Sequence, residues 1–166
     1  MFDKWVDSQN MEIKNVRLGP RGDLGAEYVE RLCESLGFVV VQEESRTGEH
    51  DTTIGGHLFE IKTATEDVHD NFQFNLIRTD YNYEFLFVLG IAPNDIMFNV
   101  YRHADVVSME EGTYILNGCR DSVLPGHMTG MAKNAGAEDN FKLTKRRDEL
   151  RPIEELQAVL TALGVG

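Results

Sequence analysis

The stretch "HDTTIGGHLFEIKTA", residues 50 to 64, predicts a tight β-hairpin whose turn is Gly-Gly. Two glycines at the centre of the turn suit the two-residue hairpins, because these turns need positive φ angles. In that register Asp51 lies directly opposite Glu60. Opposed residues have Cβ atoms about 4.5 to 5.5 Å apart, and two carboxylates there repel by about 3 kcal/mol at an effective dielectric constant near 20. The pair needs a compensating positive charge.

The alternation of side chains along the second strand of this hairpin supplies further chemistry. Glu60 and Lys62 share one face, whereas Phe59 and Ile61 point to the other. A divalent cation between Asp51 and Glu60 turns repulsion into coordination, and Mg²⁺ takes one or two carboxylates together with water and phosphate oxygens. Lys62 is then placed to steady a metal-bound water or the charge that develops on phosphorus. The pattern is typical of phosphodiester hydrolysis.

Length and composition predict a single domain over residues 1–166, since 42% hydrophobic content supports one core but not two comfortable ones. The chain has no run of 18 apolar residues, and its first residues lack the features of a secretion signal. We therefore expect a soluble cytoplasmic protein that does not bind membranes. Cys33 and Cys119 show neither metal-ligand nor disulfide spacing, which predicts two free thiols.

The net charge of -12, from 16 basic and 28 acidic residues, argues against nucleic-acid binding, because phosphate contacts need lysine and arginine. Net charge governs solubility and long-range steering, however, and a basic groove can coexist with acidic outer faces. The charge also favours one alternative directly, a protein that imitates DNA with its own carboxylates.

Hydrophobic periodicity predicts the elements around the hairpin. A helix is expected over about residues 22 to 36, with a stripe at four-residue steps formed by Leu24, Tyr28, Leu32 and Leu36, which Val29 and Cys33 widen. "FVVVQ" (38–42) is expected to be a buried strand, and "YEFLFVLGIAP" (83–93) a hydrophobic strand paired through the "PND" turn with "DIMFNVYR" (95–102).

The C-terminal part is less regular. Residues 118 to 140 have no period of either kind and are expected to form a long loop. After it, Pro152 at a first helical position and Gly164 just past the end predict a short closing helix. The elements together predict an α/β fold with a central mixed β-sheet flanked by helices.

The pattern D-x8-E-x-K, formed by Asp51, Glu60 and Lys62, resembles that of the PD-(D/E)XK nuclease superfamily. An acid-bearing helix precedes it, and the segment "FQFNLIR" and a hydrophobic strand follow, in the superfamily's order. The segments after the motif look most like those of small type II restriction endonucleases. The resemblance covers a catalytic core of about residues 22–101, followed by an irregular loop and C-terminal helix within 102–166. It implies a restriction-endonuclease-like core, although His50 stands where the motif has proline.

The resemblance also implies roles for particular residues. Asp51 and Glu60 look like metal ligands for Mg²⁺, with Mn²⁺ able to substitute, and the backbone carbonyl of Ile61 is a third ligand. Lys62 resembles the lysine that positions the nucleophilic water. An additional acid comes from the first helix, where Glu27 is favoured and Glu30 competes.

Candidate substrate contacts are more scattered. Gln73 and Arg78 follow the Glu-x-Lys strand and are candidates for DNA contact, although both also suit ordinary surface positions. The run "FKLTKRR" is the densest positive charge in the chain and is either a solvated surface or a phosphate-contacting stripe. Its members, with one lysine from the preceding loop, are Lys133, Lys142, Lys145, Arg146 and Arg147.

The leading hypothesis is a Mg²⁺-dependent endodeoxyribonuclease of restriction type that cuts double-stranded DNA. Such an enzyme is expected to be a homodimer, because a two-fold protein places one active site on each strand of a palindrome. One alternative is a structure-specific repair or recombination nuclease with the same catalytic core. Another is a non-catalytic acidic DNA mimic or inhibitor, which leaves Lys62 without a role. D-x8-E-x-K by itself also fits a surface hairpin with a solvated Glu/Lys pair.

Overall fold

The computed structural model describes residues 3–42, 51–119, 131–133 and 140–166. The helices are α1 (Met11–Lys14), α2 (Leu18–Ser35), α3 (His103–Val106) and α4 (Leu156–Ala162). The strands are β1 (Val40–Gln42), β2 (Thr52–Ile54), β3 (His57–Thr65), β4 (Asn71–Arg78), β5 (Phe85–Ile91), β6 (Ile96–Arg102), β7 (Val107–Glu110), β8 (Thr113–Leu116), β9 (Met131–Lys133), β10 (Asn140–Arg146) and β11 (Arg151–Pro152). Within these residues, no helix is long and apolar enough to cross a membrane.

A mixed sheet in the order β1-β2-β3-β5-β6-β11 forms the centre of the fold. β3 and β5 run parallel, and the other neighbours are antiparallel, as a mixed sheet requires. Helices α2 and α4 pack on one face of this sheet. The other face packs on a second sheet in the order β4-β10-β9. The prediction of a central mixed sheet is confirmed. Among the described residues the longer helices lie on one face, and the four-residue α3 adds Val106 to the core on the other.

β5 explains why the sheet has two covered faces. All seven of its residues are buried, and the alternation of a strand divides them between the two cores. Phe85, Phe87 and Leu89 join the core beneath the helices. Leu86 and Val88 join the core beneath the second sheet. A strand that is apolar on both sides needs a layer on each face, so the fold has three layers.

The hairpin forms in the predicted register, with Ile54 opposite His57 and Thr52 opposite Phe59. The turn glycines, Gly55 and Gly56, have φ angles of 55° and 83°, which L side chains rarely adopt. β6 pairs antiparallel with β5 along its whole length, as the sequence predicts.

The structure differs from the expectations at α2, at β1 and at the start of the closing helix. α2 begins at Leu18 rather than near residue 22, and Leu24 is 45% exposed, whereas the predicted Val29 and Cys33 are buried and Tyr28, Leu32 and Leu36 pack against the core. β1 is at the edge of the sheet, so Val41 is 55% exposed rather than buried. Pro152 ends β11 and precedes, rather than begins, the closing helical segment, which is a 3-10 helix over Ile153–Glu155 that leads into α4 at Leu156.

The segment expected to be a long loop, residues 118 to 140, contains a strand. β9 (Met131–Lys133) pairs antiparallel with β10. Residues 120–130 and 134–139 lie outside the described part of the chain.

Candidate active site at the edge of β3

β3 has one edge fully paired and one edge paired only in part. Along Phe59–Thr65 it pairs with β5. On the other side, pairing with β2 covers His57–Phe59 among the described strands. The N–H and C=O groups of one strand residue point to the same edge. From Ile61 onward, alternate backbone groups of β3 therefore face an edge that β2 does not cover.

Asp51 closes the hairpin at this point. Its backbone N–H donates to the carbonyl of Phe59 at 2.8 Å, and its Oδ2 accepts a hydrogen bond from the N–H of Ile61, also at 2.8 Å. The predicted direct opposition of Asp51 and Glu60 is not part of the ladder, whose last pair is Thr52 and Phe59. The Asp51 carboxylate, 9% exposed, lies instead on the backbone of β3, and the Ile61 carbonyl faces the same edge.

Glu60 and Lys62 lie on the face of β3 opposite to the helices, as the alternation predicts. Their neighbours on β5 are Leu86 and Val88. The Lys62 ammonium is 3.0 Å from Glu60 Oε1. The Glu60 side chain is 8% exposed and that of Lys62 is 22% exposed, so the carboxylate is buried while the lysine reaches solvent.

A cavity of about 480 Å³ opens at this edge, and we call it the β3 cavity. Asp51, Glu60, Ile61 and Lys62 all line it. The first turns of α2 and the middle of β4 provide the opposite walls. The structure therefore brings four of the five predicted metal and catalytic residues into one open space, without Glu27. Over the described residues, no group of three or more His, Cys, Asp and Glu side chains is arranged to hold a metal ion.

The helix acid is placed differently from the prediction. Glu27 forms an ion pair with Arg31, and both Glu27 and Glu30 line a second cavity beside β1. Asp23, one turn before Glu27, lines this second cavity and the β3 cavity. The four-residue period of a helix was the signal for it, because residues one turn apart share a face.

Arg21 also lines the β3 cavity and was missed by the sequence analysis. Its guanidinium donates to the carbonyls of Lys14 and Val16, both at 2.8 Å, and to Oγ1 of Thr65 at 3.2 Å. Burial lowers the pKa of this guanidinium from its usual value, but arginine remains charged in proteins. Arg21 therefore holds a positive charge at the wall of the cavity.

Gln73, a predicted candidate for substrate contact, lies in the wall of the β3 cavity that β4 forms. Its Nε2 donates to Oδ2 of Asp67 at 3.0 Å, and Oδ1 of Asp67 accepts the N–H groups of His69 at 2.8 Å and Asn71 at 3.0 Å. Burial by itself raises the pKa of Asp67, but hydrogen bonds from Asn71, His69 and Gln73 outweigh it and hold that pKa below the usual value. Asp67 thus fixes the Gln73 amide at the rim of the cavity.

The predicted positive stripe is divided by strand alternation. Lys145 is 2% exposed, donates to the Cys119 carbonyl at 3.2 Å and lies 3.8 Å from Glu149. Because the Lys145 side chain is buried, it cannot contact a phosphate at the surface, contrary to the prediction. Lys142 lies on the outer side of β10, between the inward Phe141 and the buried Leu143. It keeps a position from which it can contact a phosphate.

The remaining candidates have acidic partners. Arg147 donates to Glu66 at 3.1 Å and to Asp95 at 2.7 Å. Arg146 is 3.3 Å from Asp148, and Arg78 makes a two-pronged contact with Asp80 at 2.9 and 2.7 Å. The side chain of Lys133 lies outside what the structure describes.

Comparisons with known proteins find remote similarity among solved structures. No family model matches the chain, and no curated protein matches it. Among solved structures, a bacterial homing endonuclease is similar, with a TM-score of 0.45 and 11% sequence identity. The match covers 87% of this chain and 95% of the endonuclease. A similarity of this size does not identify an activity, which has to rest on the residues of the site.

Proposed function

We propose that the protein is a metal-dependent endonuclease that hydrolyses phosphodiester bonds of double-stranded DNA. The observation that carries this proposal is the convergence of Asp51, Glu60 and Lys62 on the β3 cavity. Buried carboxylates are costly unless paired or bound to a cation, and a lysine beside them in an open cavity suits the charge of a phosphate. The resemblance of D-x8-E-x-K to the PD-(D/E)XK motif supports the same chemistry.

The donor set fits a hard divalent cation. Two buried carboxylates, with a backbone carbonyl from Ile61 at the same edge, are oxygen ligands of the kind that Mg²⁺ and Mn²⁺ accept. Mg²⁺ keeps several waters and needs few protein ligands, so a group of three acidic side chains is not required. When bound, such a cation lowers the pKa of a water molecule and offsets charge on the phosphoryl oxygens.

The roles of the protein residues follow from their contacts. The N–H of Ile61 holds one oxygen of Asp51 and so fixes the orientation of that carboxylate. Glu60 holds the Lys62 ammonium at 3.0 Å. Lys62 then has two further N–H donors, which orient an attacking water or stabilise the developing negative charge. Gln73, fixed by Asp67, is placed to donate to or accept from the nucleic acid.

We propose a restriction-type role with a homodimeric enzyme, since one site per chain must act twice to cut a duplex. A structure-specific repair nuclease has the same catalytic residues and differs in its target. Cleavage of linear plasmid DNA at discrete positions supports the restriction-type role, whereas selective cutting of branched or flapped duplexes supports the repair role.

The test is cleavage of supercoiled plasmid with Mg²⁺, Mn²⁺ or a chelator. We expect nicking by the native protein in either metal, none with the chelator, and none from Lys62→Ala or Asp51→Asn. Glu110→Gln, a surface change on β7, is the control and keeps native activity. Binding to DNA without cleavage in both metals contradicts the proposal, as does activity that survives Lys62→Ala.

A further inference from the structure

β4 carries a β-bulge where it lines the β3 cavity. In its pairing with β10, Ile77 lies opposite Phe141 and Phe74 lies opposite Leu143. Two residues of β4, Asn75 and Leu76, therefore oppose the single residue Lys142. An extra residue of this kind turns side chains away from the direction that the strand alternation gives them, and bulges are frequent beside active sites.

The bulge turns an apolar side chain outward. Phe72 and Phe74 are buried and Gln73 is exposed, so simple alternation buries Leu76 and exposes Ile77. The observed order is reversed, because Ile77 is fully buried and Leu76 is 58% exposed. Leu76 also has a φ of 58°, a left-handed conformation that leucine rarely adopts. Packing of the core does not explain why a leucine is exposed here and held in a strained backbone conformation.

Leu76 lies where the proposed substrate is bound. Asn75 and Leu76 line the β3 cavity together with Asp51, Glu60 and Lys62. Lys142, across the bulge, is on the outer side of the same sheet. An apolar side chain thus lines the same cavity as the candidate catalytic residues and is paired across the bulge with a candidate phosphate contact.

We propose that Leu76 is an apolar wedge that inserts against a base step of the bound duplex beside the scissile phosphate. This inference rests on the proposed nuclease function and deepens it by naming how the duplex is held. Leucine is one of the side chains with which proteins unstack and bend DNA. A chain with a net charge of -12 gains little from long-range attraction to phosphate, and an apolar contact with a base does not depend on charge. Flexible pyrimidine-purine steps are the preferred target, because they unstack most readily.

The experiment measures base unstacking directly. Duplexes carry 2-aminopurine at successive positions around a mapped cut site, and Ca²⁺ replaces Mg²⁺ to keep the DNA intact. We expect native protein to raise the fluorescence at one step. Leu76→Ala and Leu76→Gly should remove that rise and weaken binding about tenfold, because the apolar area that leucine buries against the base is lost. Leu76→Gly suits the positive φ, so the folded state is retained and a loss of unstacking is not a loss of folding.

Two variants control for exposure and for backbone strain. Met109→Ala removes another side chain that is 58% exposed, and Glu111→Gly relieves another positive φ, of 50°. Both residues belong to the β7-β8 hairpin, and neither lines the β3 cavity. Both should keep native fluorescence and affinity. Equal unstacking by native protein and Leu76→Ala, or no unstacking by native protein that cleaves DNA, overturns the wedge and leaves the nuclease intact. A change of oligomeric state in Leu76→Ala without a change in fluorescence assigns Leu76 to contact with a second copy and also overturns it. If native protein neither binds nor cuts DNA, both proposals fall.

Discussion

Glu60 and Glu66 are both buried glutamates with a lysine ammonium group within 3.0 Å. They differ in how far along the sequence their basic partners lie. Glu60 lies where the pairing of β3 with β2 stops, and its partner Lys62 is two residues away on the same strand. Glu66 follows β3 directly and binds Lys4 at 2.8 Å and Arg147 at 3.0 Å. The first contact joins neighbours, and the second joins three distant segments.

The difference teaches what each buried acid does. An ion pair between residues two apart restricts the chain very little, so the Glu60 contact adds little to the stability of the fold. The Glu66 cluster closes loops of 62 and 81 residues and connects both chain ends to the central sheet. Buried carboxylates are expensive to desolvate. The two ion pairs of Glu66 link distant segments and so offset its desolvation cost. Glu60 lines the β3 cavity, and its burial is better explained by a role in function.

Neutralising Glu60 should therefore separate activity from stability. Glu60→Gln keeps the shape of the side chain and removes a charge that the proposed mechanism requires. We expect DNA cleavage in Mg²⁺ to fall about 10²- to 10³-fold, while Tm changes by less than about 2–4 °C. Initial nicking rates and differential scanning calorimetry on the same preparation measure both. A large fall in Tm would show that Glu60 stabilises the fold as Glu66 does, and would contradict the proposed difference between the two glutamates.

The same substitution at Glu66 should have the opposite signature. A glutamine there presents an amide to two cations and loses charge-assisted hydrogen bonds. Lys4 and Arg147 are 27% and 44% exposed and regain water, which limits the cost. We expect a loss of about 2 kcal/mol, which lowers Tm by about 4–8 °C. Cleavage measured well below Tm should stay near native, since Glu66 is not among the residues that line the β3 cavity.

Local sequence patterns were enough to predict one side of this comparison. The register of the hairpin, the turn at Gly55 and Gly56 and the shared face of Glu60 and Lys62 depend on residues within about a dozen positions of one another. Alternation and turn chemistry act at that range. The antiparallel pairing of β5 with β6 was predictable for the same reason.

The other side depends on pairings that no local pattern contains. The second sheet joins β4 to β10, which begins more than sixty residues later, so neither the layer nor its bulge is visible in "FQFNLIR". Strand alternation without the bulge predicts that Leu76 points into the core. In the sequence, Lys142, Lys145 and Arg147 form one positive run. In the structure, Lys145 is buried beside Glu149, and Arg147 pairs with the distant Glu66. Asp23 was missed because the helix acid was expected in the middle of α2, at Glu27 or Glu30, whereas the first turns of α2 line the β3 cavity.

Asp67 lies between the two regions, directly after Glu66 and in the wall of the β3 cavity, and gives the smallest expected effect. Its pKa is lower in the folded protein than the ordinary value, so its ionised form stabilises the fold above the ordinary range for aspartate, near pH 4. That stabilisation is lost as the pH falls through the folded pKa. Asp67→Asn should cost less than about 1 kcal/mol at pH 7, since the group is partly exposed.

The pH dependence of that cost distinguishes ionisation from simple hydrogen bonding. Urea denaturation of native protein and Asp67→Asn at pH 7, 5, 4 and 3 should give a stability difference that is constant from pH 7 to pH 5 and shrinks below the ordinary aspartate range. Asn can still accept the N–H groups of His69 and Asn71, so a difference that persists unchanged at pH 3 shows that charge is not what Asp67 contributes. Since Asp67 also fixes Gln73, a fall in DNA affinity larger than the fall in stability assigns its main role to the cavity and not to the Glu66 cluster.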